Sequence, residues 1–360
     1  MLIVLSVFMV FLQSQVDAGA DIPDEQIKKL VEQQQSRQVI MVGENHVRYD
    51  HHLIQLEFLR QLYQLNKQIA IGAEWFQQPF QPVLDDFIAG NIDEATLLRE
   101  TGYYNRWRYD YRLYRPIMDF ARQHKIPVIA LNVSSELTAA IREHGIDNLP
   151  AEFAAQLPDH YDTDDQAYRD RLQRVFEMHP EYAGEFEHFY RGQLTWDEGM
   201  AQAASLYLQK HPQKQMLIFA GAGHLEFDSG IPSRIKRRTG IAPFTVIVAD
   251  DVDTYPAEVA DEILISSAIN LPPKGRLGVI LQEEGRLLLI RDFANEHVFM
   301  QQNIPKGSAI LSINKQPIRS FADLKILLLD LKPAQAIDIT ILPTPEKSDA
   351  IPQTFKVELI

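Results

Sequence analysis

The stretch Gln38-Val-Ile-Met-Val-Gly-Glu-Asn-His46 is a short apolar run that ends at a glycine and then presents a carboxylate and an imidazole two residues apart. A run of this kind is typical of a buried strand in a parallel sheet. In open α/β sheets, ligands bind at the carboxyl ends of the strands. We therefore predict an α/β fold with a doubly wound, mainly parallel sheet, and we place Glu44 and His46 at its ligand-binding edge.

The same pattern recurs far downstream in Met216-Leu-Ile-Phe-Ala-Gly-Ala-Gly-His224, and a third apolar run, Ile69-Ala-Ile-Gly-Ala-Glu-Trp75, ends in a similar way. Because the carboxyl ends of parallel strands meet at one edge, these segments predict a shared cleft. Its expected members are Glu44, His46, Glu74 and His224. The alternative is that each Gly-x-x-His segment is only a tight strand-to-helix turn in which the histidine is a hydrogen-bonded cap.

The composition excludes several classes of function. With a net charge of −14, the chain is a poor partner for nucleic acid, whose binding depends on clustered lysine and arginine. The basic cluster Arg234-Ile-Lys-Arg-Arg238 is interpreted as a solvated helix end. There are no cysteines, which excludes disulfides, thiolate zinc sites and cysteine nucleophiles. Any metal must therefore be bound by histidine, carboxylate or tyrosine.

The first residues, Met1-Leu-Ile-Val-Leu-Ser-Val-Phe-Met-Val-Phe-Leu12, form an apolar run that is too short to span a bilayer as a helix. Val16 and Ala18 suit the small-residue pattern of a cleavage site, so residues 1–18 are predicted to be a secretory signal peptide. A buried amino-terminal strand is the alternative. We expect an exported protein, periplasmic or membrane-associated, and not lipidated through cysteine.

Two segments beside the predicted sheet are rich in histidine or aromatic residues. Residues 50–65 have the apolar spacing of a crossover helix, and His51 and His52 are predicted to be solvated in its first turn. Residues 103–115 alternate aromatic rings with arginines. They form either a pocket wall for a planar anionic ligand or a helix that packs on the sheet through its rings, and the sequence leaves both open.

Residues 150–192 lack strand patterning and are predicted to form a helical lid beside the sheet. Thr195-Trp-Asp-Glu198 matches a capping box, which predicts a helix from Trp196 to Leu208 and explains Glu198 as a capping residue. The strand Phe244 to Ala249 is predicted to complete the sheet. Pro- and Asp-containing segments over residues 250–256 and 271–275 predict a linker.

Several of these motifs together resemble the ChaN family of haem-binding, iron-regulated proteins over residues 25–250. The resemblance rests on Gly43-Glu-Asn-His46, Glu74, Trp196-Asp-Glu-x-Met200 and Gly221-Ala-Gly-His224. It implies a domain over residues 22–255 that binds haem and takes part in iron uptake. In the family, two subunits enclose stacked haems ligated through Tyr and His, so a homodimer is expected here too.

The lid supplies residue types that suit ferric haem, because phenolate is a hard anionic ligand. Arginines of the aromatic segment would meet the propionates. The candidate haem-binding residues are His179, Tyr182, His188, Tyr190, Arg106 and Arg108.

Residues 274–360 resemble a degenerate PDZ domain of the bacterial type. Ile304-Pro-Lys-Gly-Ser-Ala-Ile-Leu-Ser-Ile-Asn314 is similar to the strand pair before the peptide groove, and residues 321–331 to the groove helix. This resemblance implies a peptide or protein partner that adds to a strand edge near residues 277–281.

The ChaN family is itself similar to a superfamily that includes TraB/Tiki metalloproteases and erythromycin esterases. The alternative function is therefore a hydrolase that uses the predicted cleft. A divalent metal ion would be held by His46, His224, Glu44 and Glu74, with one carboxylate as general base. Without a metal, the same groups would act as a His–Glu base, and the sequence does not decide between the two.

Overall fold

The computed structural model describes residues 22–179, 185–251, 255–294, 299, 302–345, 347 and 349–360. The predicted signal peptide, residues 1–18, lies outside these ranges. None of the helices in the described ranges is both long and apolar enough to cross a membrane.

The described elements alternate strands and helices in the first part of the chain and become β-rich in the last part. The helices are α1 (Asp24–Gln34), α2 (Tyr49–Leu65), α3 (Gln81–Ala89), α4 (Glu94–Glu100), α5 (Tyr103–Arg106), α6 (Arg115–His124), α7 (Ser135–His144), α8 (Ala151–Ala154), α9 (Gln166–Met178), α10 (Phe186–Lys210), α11 (Ile231–Thr239) and α12 (Phe321–Leu327). The strands are β1 (Val39–Glu44), β2 (Ile69–Gln77), β3 (Val128–Asn132), β4 (Gln215–Gly221), β5 (Phe244–Ala249), β6 (Glu262–Ile265), β7 (Val279–Glu284), β8 (Leu287–Phe293), β9 (Ala309–Ile313), β10 (Gln316–Pro317), β11 (Ala336–Leu342) and β12 (Gln353–Glu358).

The first sheet is parallel throughout, with the order β3-β2-β4-β1-β5-β6 in the described part of the chain. Successive side chains of β1 point to opposite faces. Ile40 and Val42 pack with helices α1, α2 and α6, whereas Val39 and Met41 pack with α10 and α11. Because both faces are covered by helices, the prediction of a doubly wound α/β sheet is confirmed.

The prediction that β5 completes this sheet is wrong. Strand β6 pairs with β5 in parallel, with Val246 opposite Glu262 and Ala249 opposite Ile265. Only one of its four residues, Leu264, is buried, so its sequence lacks the long apolar run that marks the central strands. An edge strand needs less apolar surface than a central one, which explains why the pattern did not reveal it.

The prediction of solvated histidines at the start of α2 is also wrong, because His51 and His52 are both buried. The first turn of α2 packs beneath the turn that follows β1. His51 Nδ1 accepts a hydrogen bond from the backbone N–H of Asn45, and His52 Nε2 lies 3.3 Å from the carbonyl oxygen of His46. These contacts fix the backbone on which His46 sits.

Within the described residues, the predicted lid over residues 150–192 contains helices α8 and α9 and the first part of α10. Helix α10 runs without a break through residue 195, so the predicted helix start at Trp196 is wrong. The hydroxyl of Thr195 donates to the carbonyl of Arg191 inside the helix instead of capping its start. The capping-box pattern also fits the interior of a long helix, and the sequence around it continues the helix.

The last part of the chain forms a separate antiparallel sheet in the order β12-β11-β9-β8-β7, with β10 paired to β9. Strands β7 and β8 form a hairpin that is joined through Gly285, which has a positive φ of 63° that glycine tolerates best. Helix α12 packs Leu324 into the core of this module, while Ile326 of the same helix and Leu329 just after it pack against the core of the first domain.

Candidate functional site

The carboxyl end of β1 carries the first half of the site. Glu44 is buried, and its Oε1 lies 2.5 Å from Nδ1 of His46, whose side chain is 24% exposed. The imidazole contacts the rings of Trp107 and Tyr109 at centroid distances of 4.8 and 5.0 Å. His46 is thus held by a carboxylate on one side and by aromatic rings on another, while part of it faces solvent.

The ends of β2 and β4 carry the second half. Glu74 Oε2 accepts a hydrogen bond of 2.7 Å from the backbone N–H of Gly221, and its Oε1 lies 3.4 Å from His224 Nε2. Ligand atoms of Glu44, His46 and Glu74 all lie within 4.8 Å of one another. The structure therefore brings Glu44, His46, Glu74 and His224 into one cleft, here called the strand-edge cleft.

Gly221 is required for this close approach. A Cβ at this position would lie 2.9 Å from Cε1 of His46 and 3.7 Å from Oε2 of Glu74. The glycine at the end of β4 therefore serves the packing of the cleft as well as the turn.

Asp197 is a further member of the site that was not predicted from the sequence. Its Oδ1 lies 2.5 Å from His224 Nδ1, and its Oδ2 accepts a 2.6 Å hydrogen bond from the hydroxyl of Tyr168 in the lid. The available signal was that Asp197 belongs to the Trp196-Asp-Glu-x-Met200 segment of the family resemblance, whereas the capping box of Thr195 and Glu198 gives its carboxylate no role. His224 therefore lies between two carboxylates, those of Asp197 and Glu74.

The prediction of a solvated helix end holds only for part of the basic cluster in α11, because Lys236 and Arg237 are exposed whereas Arg234 is buried, and Glu198 is not a helix cap. Arg237 Nη2 donates to Glu198 Oε2 at 2.6 Å, and Arg238 Nη2 donates to the same oxygen at 2.9 Å. The fully buried Arg234 places its Nε 3.2 Å from Glu198 Oε1. A buried carboxylate is stable only when it is paired, and Glu198 finds its partners on α11. These contacts hold α11 against α10 directly beside Asp197.

The charged groups of the cleft stabilise one another's ionised forms. Burial alone would lower the pKa of His224, but Asp197 and Glu74 outweigh it and raise the pKa well above 6.5. Burial also lowers the pKa of His46, but Glu44 and Glu74 outweigh this effect and raise that pKa above its ordinary value. For Glu74, burial favours the protonated form, yet the imidazoles of His224 and His46 lower its pKa to about 2.

This lowered pKa predicts an acid-sensitive contribution to stability. A carboxyl with a folded pKa below its unfolded value stabilises the protein above the unfolded pKa, and that stability is lost as the pH falls towards the folded pKa. We therefore expect the melting temperature to fall between pH 4.5 and about 2 more steeply in the natural protein than in Glu74→Gln. Thermal melts of both proteins across that range test this. Parallel curves would mean that Glu74 has no such role.

The arrangement suits either metal binding or acid–base chemistry. In each histidine a carboxylate lies at Nδ1, which orients the ring and leaves Nε2 towards the cleft. Metal-binding histidines are commonly held in this way. The same arrangement also holds a general base in position. The group Glu44, His46 and Glu74 is compatible with a divalent cation.

His188 and Tyr190, two of the predicted haem-binding residues, contact helices α7 and α9, and Trp196 beside His188 has its ring centroid 6.3 Å from that of His224. His188 Nδ1 lies 3.2 Å from the carbonyl of Arg142, and the ring borders a groove with Phe189 and Trp196. Tyr190 is buried beneath the guanidinium of Arg169. His179 follows the end of α9, and Tyr182 lies outside the described residues.

The arginines of the aromatic segment are held by protein groups. Arg106 makes paired 2.7 Å hydrogen bonds to both carboxylate oxygens of Glu136. Arg108 has a positive φ of 73° and donates to the carbonyl of Asn105. Four rings of the aromatic segment pack in the core, as expected for a segment packed on the sheet: Tyr103, Tyr104, Tyr111 and Tyr114. The rings of Trp107 and Tyr109 border His46, as expected for a pocket wall.

Residues 30–235, more than half of the 360, match the family described as haem-binding uptake, Tiki superfamily, ChaN. No curated protein sequence matches the chain.

Among solved structures, the chain is similar to ChaN of Campylobacter jejuni, described with cofacial haem binding. The identity is 18%, the match covers 67% of this chain and 92% of that one, and the TM-score of 0.53 supports a shared fold. It is also similar to the PDZ domain of a carboxy-terminal protease from Vibrio cholerae, at 16% identity over 25% of this chain and 95% of that one, with a TM-score of 0.21.

Proposed function

Because the chain belongs to the haem-binding uptake family ChaN of the Tiki superfamily, we propose that it binds haem and serves in haem or iron acquisition or transfer as an exported protein. The match to the family over residues 30–235 is the observation that carries this proposal. The haem is assigned to the lid and not to the strand-edge cleft.

The residues of the lid have the chemistry that haem requires. The groove beside α10 is lined by the rings of Phe189 and Trp196, by the imidazole of His188 and by the cation of Arg142. Apolar rings suit the porphyrin faces, and an arginine suits a propionate. The backbone carbonyl of Arg142 contacts His188 Nδ1 and so orients the imidazole. Metal-binding histidines are commonly oriented by a carbonyl in this way.

Tyrosine is the candidate source of an anionic ligand. Burial raises the pKa of Tyr190, so ferric iron must displace the phenolic proton for this side chain to bind. Phenolate is a hard ligand that stabilises the ferric state. Tyr182 is the second candidate of this type. When bound, haem would supply its own iron chemistry, and the lid would supply ligands and shielding from water.

We expect substitutions in the lid to weaken hemin binding. Tyr190→Phe should remove the charge-transfer absorbance of a tyrosinate ligand, and His188→Ala should weaken binding at least about tenfold, equivalent to about 1.4 kcal/mol. The pair His179→Ala with Tyr182→Phe tests the other candidates. Absorbance titrations with hemin measure all of these proteins.

His144→Ala is the matched control, because His144 lies at the exposed end of α7 and its imidazole is 42% exposed. If every lid variant binds hemin as tightly as the natural protein and the control, the lid is not the haem site.

A second candidate function, hydrolysis, is supported by the two histidine–carboxylate pairs that face one cleft. His46 is paired with Glu44, and His224 lies between Asp197 and Glu74. The test is ester and peptide hydrolysis measured with added zinc or manganese and again with chelator. Activity that disappears in His46→Ala would support the proposal, and no turnover under either condition would end it.

A further inference from the structure

Two aromatic rings flank the exposed side of the strand-edge cleft. Trp107 meets His46 edge-on at 4.8 Å, Tyr109 lies tilted at 5.0 Å, and the two rings contact each other at 5.5 Å. We call Trp107 and Tyr109 the aromatic wall. Their placement determines how much room a ligand has beside His46.

The backbone that carries the wall is strained. Arg108, between the two rings, has a φ of 73°, a left-handed conformation that is unfavourable for a residue with a Cβ. Such a conformation persists only where its surroundings impose it. The loop therefore needs support from outside itself.

That support comes from the start of the carboxy-terminal module. Lys274 Nζ donates to Asp110 Oδ2 at 2.7 Å, and Arg112, which also donates to Asp110, reaches the carbonyl of Pro272 at 2.7 Å. Burial disfavours the charge on Asp110, but the hydrogen bonds from Arg112 and Lys274 outweigh this and lower its pKa to about 2. Asp110 directly follows Tyr109, so this contact anchors one end of the wall.

The module also contacts the rest of the segment, residues 103–115, through α12 and the residues that directly follow it. Lys325 Nζ lies 5.1 Å from the ring centroid of Tyr104, and Ile326 and Leu329 join the buried core of the first domain. Arg115, at the end of the aromatic segment, pairs with Asp330. The segment is therefore held between the module and the cleft.

We infer that Lys274 is a positioning residue for the strand-edge cleft, acting through Asp110 to hold Trp107 and Tyr109 against His46. The carboxy-terminal module then helps to position residues of the strand-edge cleft, a role that is separate from binding any partner of its own. This inference goes beyond haem binding and does not depend on it, because its test uses the full chain without hemin.

The test is the NMR resonance of the His46 imidazole in histidine-labelled protein, assigned with His46→Gln. Aromatic rings at the observed distances shift a neighbouring resonance strongly. In Lys274→Ala we expect the His46 signal to move towards the position of an exposed histidine. Asp110→Asn should reproduce that shift, and Lys274→Arg should restore the natural position because it keeps the cation.

Lys306→Ala is the control, since it breaks an exposed ion pair with Asp292 within the same module and should leave the His46 signal in place. Thermal melts identify any variant that fails to fold, and Asp110→Asn then replaces Lys274→Ala as the test. A folded Lys274→Ala or Asp110→Asn protein with an unchanged His46 signal would overturn the inference. So would a Lys274→Arg protein that behaves like Lys274→Ala.

Discussion

Replacing Glu198 with alanine should destabilise the protein by about 3–5 kcal/mol, because it removes the carboxylate that lies beside the fully buried guanidinium of Arg234. Glu198 is fully buried and accepts hydrogen bonds from Arg237 and Arg238, and the buried Nε of Arg234 lies 3.2 Å away. Its Oε1 also accepts from the backbone N–H of Asp162 at 2.8 Å. The substitution removes all of these contacts and adds a void.

Chemical denaturation of the variant and the natural protein measures this cost. Glu187→Ala is the matched control, since Glu187 is a half-exposed carboxylate on the same helix that pairs with Arg169 and Arg191. Exposed pairs contribute about 0–1 kcal/mol, so the control should change little. Equal losses in the two variants would show that the Glu198 cluster has no special role.

Replacing His224 with alanine should destabilise the protein by about 3 kcal/mol at neutral pH and abolish any hydrolase activity. The substitution leaves the carboxylates of Asp197 and Glu74 buried without the imidazole that lies between them. Because the pKa of His224 is raised in the folded protein, its contribution is complete below pH 6.5 and is lost as the pH rises through the folded value. The difference in stability between the two proteins should therefore shrink at alkaline pH.

Hemin binding should be largely retained in His224→Ala, because the haem is assigned to the lid. Denaturation curves of the variant at neutral and alkaline pH measure the loss of stability and its pH dependence. A hemin titration of the same variant measures hemin binding. Loss of hemin binding from a folded variant would contradict the assignment of separate sites.

Much of the fold could be predicted because its signals are local. The apolar runs of β1 and β4 each end in a Gly-x-x-His segment, β2 carries Glu74 towards its carboxyl end, and parallel pairing brings these ends together. The amino-acid pattern was therefore sufficient to place Glu44, His46, Glu74 and His224 at one edge of the sheet. Strand β6 lacks such a run, and its pairing with β5 is a tertiary contact.

The residues that were misinterpreted are those whose role depends on distant partners. Asp197 meets His224, Glu198 meets the arginines of α11, and His52 meets the backbone of His46, each through the packing of separate elements. A local pattern, such as the capping box at Thr195, gave a sufficient explanation for Glu198 and so concealed its buried contacts. Periodicity indicates which face is buried but not which charged groups meet there.

The lid was predicted from the density of its histidines and tyrosines, which gives candidates without geometry. The structure contributes the groove beside His188 and the burial of Tyr190, and Tyr182 lies outside the described residues. The assignment of haem ligands therefore remains a prediction that the variants of the lid can decide.

Titration of the full chain with hemin, followed by absorbance, tests the proposal of haem binding most directly. The proposal predicts a saturable spectral change at a fixed ratio of hemin to protein, with the charge-transfer band of tyrosinate-ligated ferric haem. An absorbance that rises without saturation and keeps the spectrum of non-specifically adsorbed hemin would contradict it.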